Sequence, residues 1–324
     1  MTHGHDAPQA ERTHEPHGSA GHTGHEGHQG DARHAGHGAH RHDHADIDWA
    51  EMATMLETQA ELFEPLYERA LAWLSGLRAD PGLVVDAGSG PGVLSGMLAA
   101  VFPGARIVAA DGSAPLLERA AARADRLGHA DRFDTIVGDL PGSLDRLEYP
   151  ADLIWASRSV HHLGDQRAAL ASFAERLAPG GTLAVMEGGL PARFLPRDLG
   201  FGRAGIEARM DAVEQTWFGR MREELPGSVA EAEDWPAMMA AAGLRPTGSR
   251  TFLLDLPAPV SDEARAHVAT SLSRARDIFG ADLDATDTAT LDRLLDPDDP
   301  ESVHRRPDLY VLAAHTVHTA VRAG

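Results

Sequence analysis

The residues with the clearest capacity for chemistry are an aspartate and three glycines that lie within seven positions of one another. Asp86 ends a short apolar run, and Gly88, Gly90 and Gly92 follow it at every second position. Glycine adopts left-handed backbone angles without strain and lets a ligand approach the main chain closely. The pattern therefore predicts a buried strand that enters a tight nucleotide-binding turn, from which a helix begins.

The spacing of these glycines separates two kinds of nucleotide site. A dinucleotide fingerprint, Gly-x-Gly-x-x-Gly, needs its third glycine at the position that Val93 occupies. The observed Gly-x-Gly-x-Gly after a strand-terminal aspartate instead resembles motif I of the class I S-adenosylmethionine-dependent methyltransferases. That resemblance implies that Gly88, Gly90 and Gly92 form a backbone cradle for S-adenosylmethionine, and that Asp86 reaches its ammonium group directly or through water.

Four further segments resemble this family and occur in its order along the chain. They are residues 105–111, 133–139, 151–163 and 179–187. By resemblance, Asp111 accepts both ribose hydroxyls with Gly112 beside it, and Asp139 and Leu140 meet the adenine. Ser157, at the end of the fourth strand, belongs to the same expected cofactor site. Taken alone, each aspartate would equally suit an ordinary strand end or turn.

The alternation of strands and helices implies an α/β architecture. Between residues 83 and 190, short apolar strands alternate with helical segments at 114–127 and 165–177, which predicts a parallel sheet with right-handed crossovers. Two more strands are predicted near 251–256 and 309–317. Together with the resemblance, the expectation is a doubly wound, mostly parallel, seven-stranded Rossmann-like sheet with an antiparallel last strand. Ligands bind such sheets outside the carboxyl ends of the strands.

Helical segments are expected around this sheet, within one methyltransferase domain that spans residues 47–324. An N-terminal helical cap, 47–78, carries apolar residues at helical spacing and either covers the core or closes over the cofactor. A lid insertion, 191–228, follows the fifth strand, where this family places its substrate-specific insertion. A second helical insertion, 257–307, stands where many relatives have a short hairpin.

Residues 1–46 form a His-rich tail with almost no bulky apolar side chains, so we expect the tail to be disordered. Neutral imidazole is a common ligand of divalent metal ions. The tail therefore either binds such an ion loosely or serves only as a solubilising segment. The candidate ligands are His22, His25, His28, His34, His37, His40, His42 and His44. No metal site is expected in the folded domain.

Two adjacent histidines are the candidates for catalysis. His161 and His162 follow the fourth strand, which by resemblance lies beside the reactive methyl group. Imidazole titrates near neutral pH, so either side chain is suited to deprotonate an acceptor hydroxyl. In the alternative interpretation, one packs under the lid and the other bonds a loop carbonyl. Glu187, at the end of the fifth strand, is a further candidate. Four lid arginines suit either an acidic substrate or a solvated helix face: Arg203, Arg209, Arg220 and Arg222.

Composition narrows the class of partner. The formal net charge is −20, which argues against nucleic acid and anionic membranes, because both need a basic surface. The chain has no cysteine, which excludes disulfides and thiolate metal sites. It also lacks an apolar stretch long enough to cross a bilayer and the core of a signal peptide, so we expect a soluble cytoplasmic protein.

The leading functional hypothesis is a methyltransferase that transfers a methyl group to an O, N or C atom of a small molecule in an enclosed apolar pocket. An NAD(P)-dependent oxidoreductase is disfavoured by Val93 and by the absence of lysine, which rules out a Tyr-x-x-x-Lys motif. A metal-buffering protein, with an inactive methyltransferase fold and a working tail, is disfavoured by the intact Asp86, Asp111 and glycines.

Overall fold

The computed structural model describes the protein from residue 49 to residue 324, with side chains from residue 52 onward. The predictions of a disordered tail, 1–46, and of metal ligands among its histidines lie outside the described residues. Of the helices that the structure describes, none combines the length and the apolar character that crossing a membrane requires.

The centre of the described chain is a seven-stranded sheet with the order β3-β2-β1-β4-β5-β7-β6. The strands are β1 (Leu83–Ala87), β2 (Arg106–Asp111), β3 (Phe133–Val137), β4 (Ala151–Ser157), β5 (Leu177–Arg193), β6 (Leu244–Leu256) and β7 (Val311–Arg322). Neighbouring strands from β1 to β5 pair in parallel, whereas β7 runs antiparallel to both β5 and β6. The predicted doubly wound, mostly parallel sheet with an antiparallel last strand is confirmed.

Helices flank this sheet on both faces. Those described are α1 (Trp49–Leu62), α2 (Glu64–Leu77), α3 (Val93–Val101), α4 (Ala114–Arg126), α5 (Gln166–Arg176), α6 (Ile206–Glu224), α7 (Trp235–Ala241), α8 (Asp262–Phe279) and α9 (Ala285–Leu295). The side chains of Asp165, Ser261 and Asp284 accept backbone N–H bonds at the first turns of α5, α8 and α9. These caps satisfy amide groups that have no partner inside the helix, which explains where the three helices begin.

Successive residues of β4 point to opposite faces of the sheet and build two separate cores. Ile154 packs with Leu170 of α5, on one face, whereas Trp155 packs with Leu66 of α2 and Leu98 of α3, on the other. All five side chains are fully buried. Burying a large apolar side chain contributes about 1.5–3 kcal/mol relative to leaving it in water. The position of β4 in the sheet is therefore determined from both sides.

The strand order places one edge of the sheet in position to bind a ligand. It reverses between β1 and β4, which are adjacent and in register from Val84 opposite Leu153 to Asp86 opposite Trp155. A crevice opens where strands diverge in this way, at their carboxyl ends. The ends of β1, β2, β4 and β5 therefore lie along one edge of the sheet, as the sequence indicated.

The last strands are longer than the sequence predicted. β6 and β7 were expected near 251–256 and 309–317, but β6 begins at Leu244 and β7 extends to Arg322. β5 also continues past its expected end, because Gly189 pairs with His315 and Arg193 with Leu312. Breaks in register near both pairs mark bulges, which no periodicity of two can signal.

The structure shows which elements fill the expected helical segments. Residues 47–78 contain α1 and α2, which separate at Phe63 because Pro65 suits the first turn of a helix. Residues 191–228 contain α6, and residues 257–307 contain α8 and α9. The roles of these segments as cap, lid and second insertion stay predictions.

Helix α6 and the loop before it are joined to α9 through one buried carboxylate. Asp287 has a side chain only 1% exposed, and it accepts hydrogen bonds from Arg203 at 2.7 Å and from Arg209 at 2.6 Å. The bond from Arg209 is the main cause that lowers the pKa of Asp287. Arg220 forms an ion pair with Asp282 at 3.3 Å. These arginines bind carboxylates of the protein itself, so a structural role accounts for their charge.

Replacing Asp287 by alanine should lower the free energy of unfolding by about 2–3 kcal/mol, because two guanidinium groups lose a buried partner. Urea denaturation near neutral pH measures the change. Asp292→Ala is the matched control on the same helix, since Asp292 forms a solvent-exposed ion pair with Arg276. Such a pair should contribute no more than about 1 kcal/mol. Equal losses in the two variants would show that Asp287 does not join these elements.

Candidate active site

Hydrogen bonds hold the glycine turn against the end of β2. The backbone N–H groups of Gly88 and Ser89 both donate to the carbonyl oxygen of Ala110, at 2.8 and 3.1 Å. The N–H of Gly90 donates to Oδ2 of Asp111 at 2.9 Å. The turn is therefore built before any ligand arrives, and its shape depends on two neighbouring strands.

Backbone angle and close packing explain why glycine occupies these three positions. All have left-handed backbone angles, with φ of 81°, 53° and 79° for Gly88, Gly90 and Gly92. A Cβ on Gly88 would lie 2.4 Å from Cβ of Ser159, and one on Gly92 would lie 2.5 Å from Cβ of Ala120. A Cβ on Gly90 would meet nothing within 4 Å. Two glycines thus permit close packing, and the middle one faces open space that a ligand can fill.

Asp86 lies beneath this turn as a buried carboxylate. It is 1% exposed, and its Oδ2 accepts a hydrogen bond from the hydroxyl of Ser95 at 2.5 Å. Burial raises the pKa of Asp86 to about 7, and the nearby charge of Asp111 acts in the same direction. A cation placed beside Asp86 would reverse this effect by favouring the ionised form. The residue therefore fits an ammonium group.

Asp111 braces the turn and keeps capacity for a ligand. Its Oδ2 accepts from Gly90, its Oδ1 accepts from the N–H of Ser113 at 2.9 Å, and the residue is partly exposed. A carboxylate oxygen has about two acceptor sites, so both oxygens can still accept a hydroxyl. The geometry suits the ribose role that the resemblance implies, and it adds a bracing role that the sequence did not indicate.

The other expected adenine contacts lie around the same turn. Oδ1 of Asp139 lies 3.4 Å from the position that a Cβ on Gly112 would take, so the glycine allows the two loops to approach. Cδ1 of Leu140 is 3.7 Å from the corresponding position on Gly88. Asp139 is exposed and Leu140 half-buried. The structure therefore brings these predicted site residues together at the ends of β1, β2 and β3.

The segment after β4 contains one functional contact that the sequence did not reveal. Ser159 donates its hydroxyl to the carbonyl oxygen of Ala87 at 2.8 Å and packs against Gly88. It thereby ties this segment to the glycine turn. The hydroxyl of Ser157, which was expected at the cofactor, lies 3.6 Å from Sδ of Met186 on β5. A lone serine inside a loop carries no spacing signal, and only its contacts reveal the role.

A short 3-10 turn at Val160–His162 presents the predicted catalytic histidines. Glu187, 5% exposed at the bend in β5, accepts the N–H of Val160 at 2.9 Å and that of His161 at 3.3 Å. Its other oxygen lies 2.8 Å from Nδ1 of His161. A carboxylate in this position holds the proton on Nδ1 and leaves Nε2 as a proton acceptor. Glu187 therefore orients His161, which the sequence placed near it only as an independent candidate.

The surroundings separate the two histidines. The ring of His161 is largely buried and lies 5.8 Å from that of Phe218 on α6, whereas His162 is exposed. The two imidazole rings are 4.1 Å apart. The structure therefore gives His161 both an orienting carboxylate and a cover. The catalytic roles of both histidines stay predictions.

Helix α6 is anchored to this same turn. Nη1 of Arg222 donates to the carbonyl oxygens of His161 and Leu163, at 2.7 and 2.6 Å, and Nη2 donates to that of Gly164 at 3.1 Å. Burial lowers the pKa of Arg222. Its guanidinium donates to backbone carbonyl groups, so a structural role also accounts for the charge of Arg222.

The described fold and glycine turn are those of a nucleotide-binding α/β enzyme, and comparisons with known proteins identify which kind. Residues 85–183 match the family model described as a methyltransferase domain. The trans-aconitate 2-methyltransferase of Methylobacterium radiotolerans is 33% identical over 215 residues, covering 61% of this chain and 78% of that enzyme. The chain belongs to the class I S-adenosylmethionine-dependent methyltransferases, and its cofactor is S-adenosylmethionine.

Other similarities extend over different shares of the chain. The trans-aconitate 2-methyltransferase of Streptomyces coelicolor is 32% identical over 44% of this chain, and the match spans 50% of that enzyme. A solved methyltransferase from Thiobacillus denitrificans, in complex with S-adenosyl-L-homocysteine, is 18% identical, with coverages of 76% and 91% and a TM-score of 0.43.

The titration of Asp86 predicts how cofactor affinity depends on pH. Because the pKa of Asp86 is about 7 in the free protein, its ionised fraction falls about tenfold per pH unit below that value. An ammonium ligand needs the ionised form, so S-adenosylmethionine should bind about tenfold more weakly one pH unit below 7 than well above 7. Calorimetric titration across this range measures the effect.

Asp86→Asn should bind S-adenosylmethionine weakly, and its affinity should not depend on pH in this way. The exposed Asp125→Asn is the control and should bind as wild type does.

The stability of the free protein gives a second readout. A raised pKa in the folded state means that the free protein loses stability as pH rises from about 4 to about 7, so Asp86→Asn should remove that loss. If either pH dependence, of affinity or of stability, survived in Asp86→Asn, another titrating group would be its cause.

Proposed function

We propose that this protein methylates a hydroxyl oxygen of a small molecule, with His161 as the general base. The observation that carries the proposal is the set of three hydrogen bonds to Glu187, which fixes the ring of His161 with Nδ1 protonated. Nitrogen and carbon acceptors need a positioned base less generally than hydroxyls do, since a neutral hydroxyl is a poor nucleophile. The arrangement thus favours an oxygen acceptor.

The same turn of chain links the base to the cofactor site. Ser159, two residues before His161, bonds the end of β1 and packs on Gly88. Since β1 and β4 are neighbours in the sheet, the base and the cradle share one edge. This supports placing the acceptor between them, where positioning alone provides much of the rate enhancement of a displacement.

For the cofactor we propose the residues that surround the glycine turn. They are Asp86, Gly88, Gly90, Gly92, Asp111, Gly112, Asp139, Leu140 and Ser157. S-Adenosylmethionine supplies an electrophilic methyl group on a sulfonium. Asp86 would hold its ammonium, Asp111 would accept from its ribose, and the space above Gly90 would receive its amino-acid end.

The residues of the chain then do the rest of the chemistry. Nε2 of His161 takes the proton of the acceptor hydroxyl as the oxygen attacks, and the charge of Glu187 stabilises the imidazolium that forms. Phe218 and the anchored α6 cover this proton transfer. A covered site keeps water away from the base.

The acceptor class is supported by charge and by relatives. A net charge of −20 is unfavourable for binding nucleic acid, which leaves small molecules as the proposed acceptors. The curated relatives from Methylobacterium and Streptomyces are named for trans-aconitate, a small organic acid. Their name bears on the size of the acceptor and does not identify the methylated atom in this protein.

Replacing His161 by asparagine should lower kcat for methyl transfer by about 10²- to 10⁴-fold, the usual contribution of a general base. Affinity for S-adenosylmethionine, measured by calorimetry, should stay the same. Glu187→Gln should also lower kcat, because its amide would donate to Nδ1 and move the ring proton to Nε2. The exposed His304→Ala is the control and should retain wild-type activity.

A panel of hydroxylated small molecules and trans-aconitate provides the acceptors, with S-adenosylhomocysteine formation as the readout. The proposed function requires a methyl ether, which mild alkali leaves intact. An alkali-labile methyl ester, formed equally well by His161→Asn, would show that a carboxylate oxygen accepts the methyl group and that His161 is no base.

A further inference from the structure

We propose that Arg158 binds a carboxylate of the methyl acceptor, so that the acceptor is a small hydroxy acid. The inference rests on the proposed function, because His161 selects the hydroxyl that is methylated and Arg158 holds the other end of the same molecule. Arg158 directly follows β4, three positions before His161.

The backbone of Arg158 is held in a strained conformation. Its φ is 52°, and within residues 49–324 it is the one residue other than glycine with a positive φ. Its N–H donates to the carbonyl oxygen of Met186 on β5 at 3.0 Å, which keeps it there. Such strain persists where the surrounding structure demands a particular direction of a side chain, most often at a functional site.

The guanidinium of Arg158 faces polar groups from three other elements. Its charge acts on the phenol of Tyr67 on α2, whose pKa is raised by burial and lowered in part by Arg158. The same charge acts on His267 on α8 and on His315 on β7. Burial lowers the pKa of His267 to about 4 and that of His315 to about 3, and the charge of Arg158 adds to both effects. Near neutral pH, the guanidinium is therefore the one positive charge of this group.

Among the side chains that the structure describes, no carboxylate forms an ion pair with Arg158. Glu214 on α6 is close enough for its raised pKa, due first to burial, to be lowered in part by Arg158. By contrast, Arg193 at the end of β5 forms an ion pair with Asp211. An exposed planar guanidinium without a carboxylate is suited to bind one from a ligand in bidentate fashion.

Rings behind Arg158 form an apolar wall with one unsatisfied polar atom. Phe63 stacks on His315 at 5.4 Å, and Phe194 meets His267 edge-on at 5.8 Å. In the described chain, the buried Nδ1 of His315 has no hydrogen-bond partner. Buried polar atoms are rarely left in this state, so a polar group of a ligand would complete the wall. Both observations point to an acceptor with apolar surface and oxygen substituents.

The strand order distinguishes the acceptor from the cofactor as the source of the carboxylate. S-Adenosylmethionine also has one, but its expected cradle is at the ends of β1 and β2, on one side of β4. His315, one of the groups on which the charge of Arg158 acts, lies on the other side, since it is on β7 and pairs with Gly189, two residues after Glu187 on β5. The acceptor would then lie between His161 and the ring wall, with its carboxylate bound by Arg158.

The test uses the full-length protein and hydroxy acids paired with their carboxamides. Replacing Arg158 by glutamine should raise KM for the acids by about 10- to 100-fold, the loss expected for a charge-assisted contact, with little change in kcat. KM for the amides and the Kd of S-adenosylmethionine, measured by calorimetry, should stay within about twofold. For Arg158→Lys, KM for the acids should lie between the values of wild type and Arg158→Gln, because lysine keeps the charge and loses the bidentate geometry.

Arg245→Gln is the matched control. Arg245 is exposed and pairs with Val321, so it lies at the opposite edge of the same sheet. The Arg245→Gln variant should have the same KM for acids and for amides as wild type.

The proposal fails if the wild type turns over or binds the amides as well as the acids. It also fails if Arg158→Gln weakens S-adenosylmethionine and leaves KM for the acids unchanged, because the cofactor would then supply the carboxylate. Absence of any methyl ether product, with the acid preference intact in binding to the S-adenosylhomocysteine complex, would instead overturn the proposed function and leave the role of Arg158 standing.

Discussion

The contact between Gly88 and Ser159 is the constraint on which the site depends. The two residues are so close that a single Cβ would lie 2.4 Å from its neighbour, and the hydroxyl of Ser159 bonds the carbonyl oxygen of Ala87. This contact sets the spacing between the glycine turn and the 3-10 turn with His161. A side chain at Gly88 would displace one of them, and displacements of about 1 Å are costly for a reaction that relies on positioning.

Much of the fold follows from local patterns along the sequence. Apolar runs that end in Asp86, Asp111 and Ser157 are short, and the glycine spacing after the first is characteristic, so the parallel half of the sheet is readable without coordinates. The other half of the sheet, where β5, β6 and β7 pair, is harder to predict from the sequence. β5 and β7 owe their length to pairing between Arg193 and Leu312 across bulges, and such pairing depends on residues that are over a hundred positions apart.

The candidate site shows the same division. The residues proposed for the cofactor are consecutive or end consecutive strands, whereas the orientation of His161 comes from Glu187, 26 positions later. Arg203 and Arg209 show what the sequence leaves open, because their charge suited either a ligand or a solvated face, and the structure pairs both with Asp287. Sequence supplies the type of a charged side chain, and only the tertiary structure shows whether its charge is already neutralised.

That distinction explains why two residues of opposite charge carry the functional argument. Burial raises the pKa of Asp86 to about 7, and Arg158 is strained; among the described side chains, neither has an ion-pair partner of opposite charge. Both arrangements cost free energy in the protein alone, whereas Asp287 and Arg209 satisfy each other. Groups left unsatisfied by the fold are those whose interactions a ligand can complete, so their cost becomes selectivity for a ligand with a cation at one end and for an acceptor with an anion.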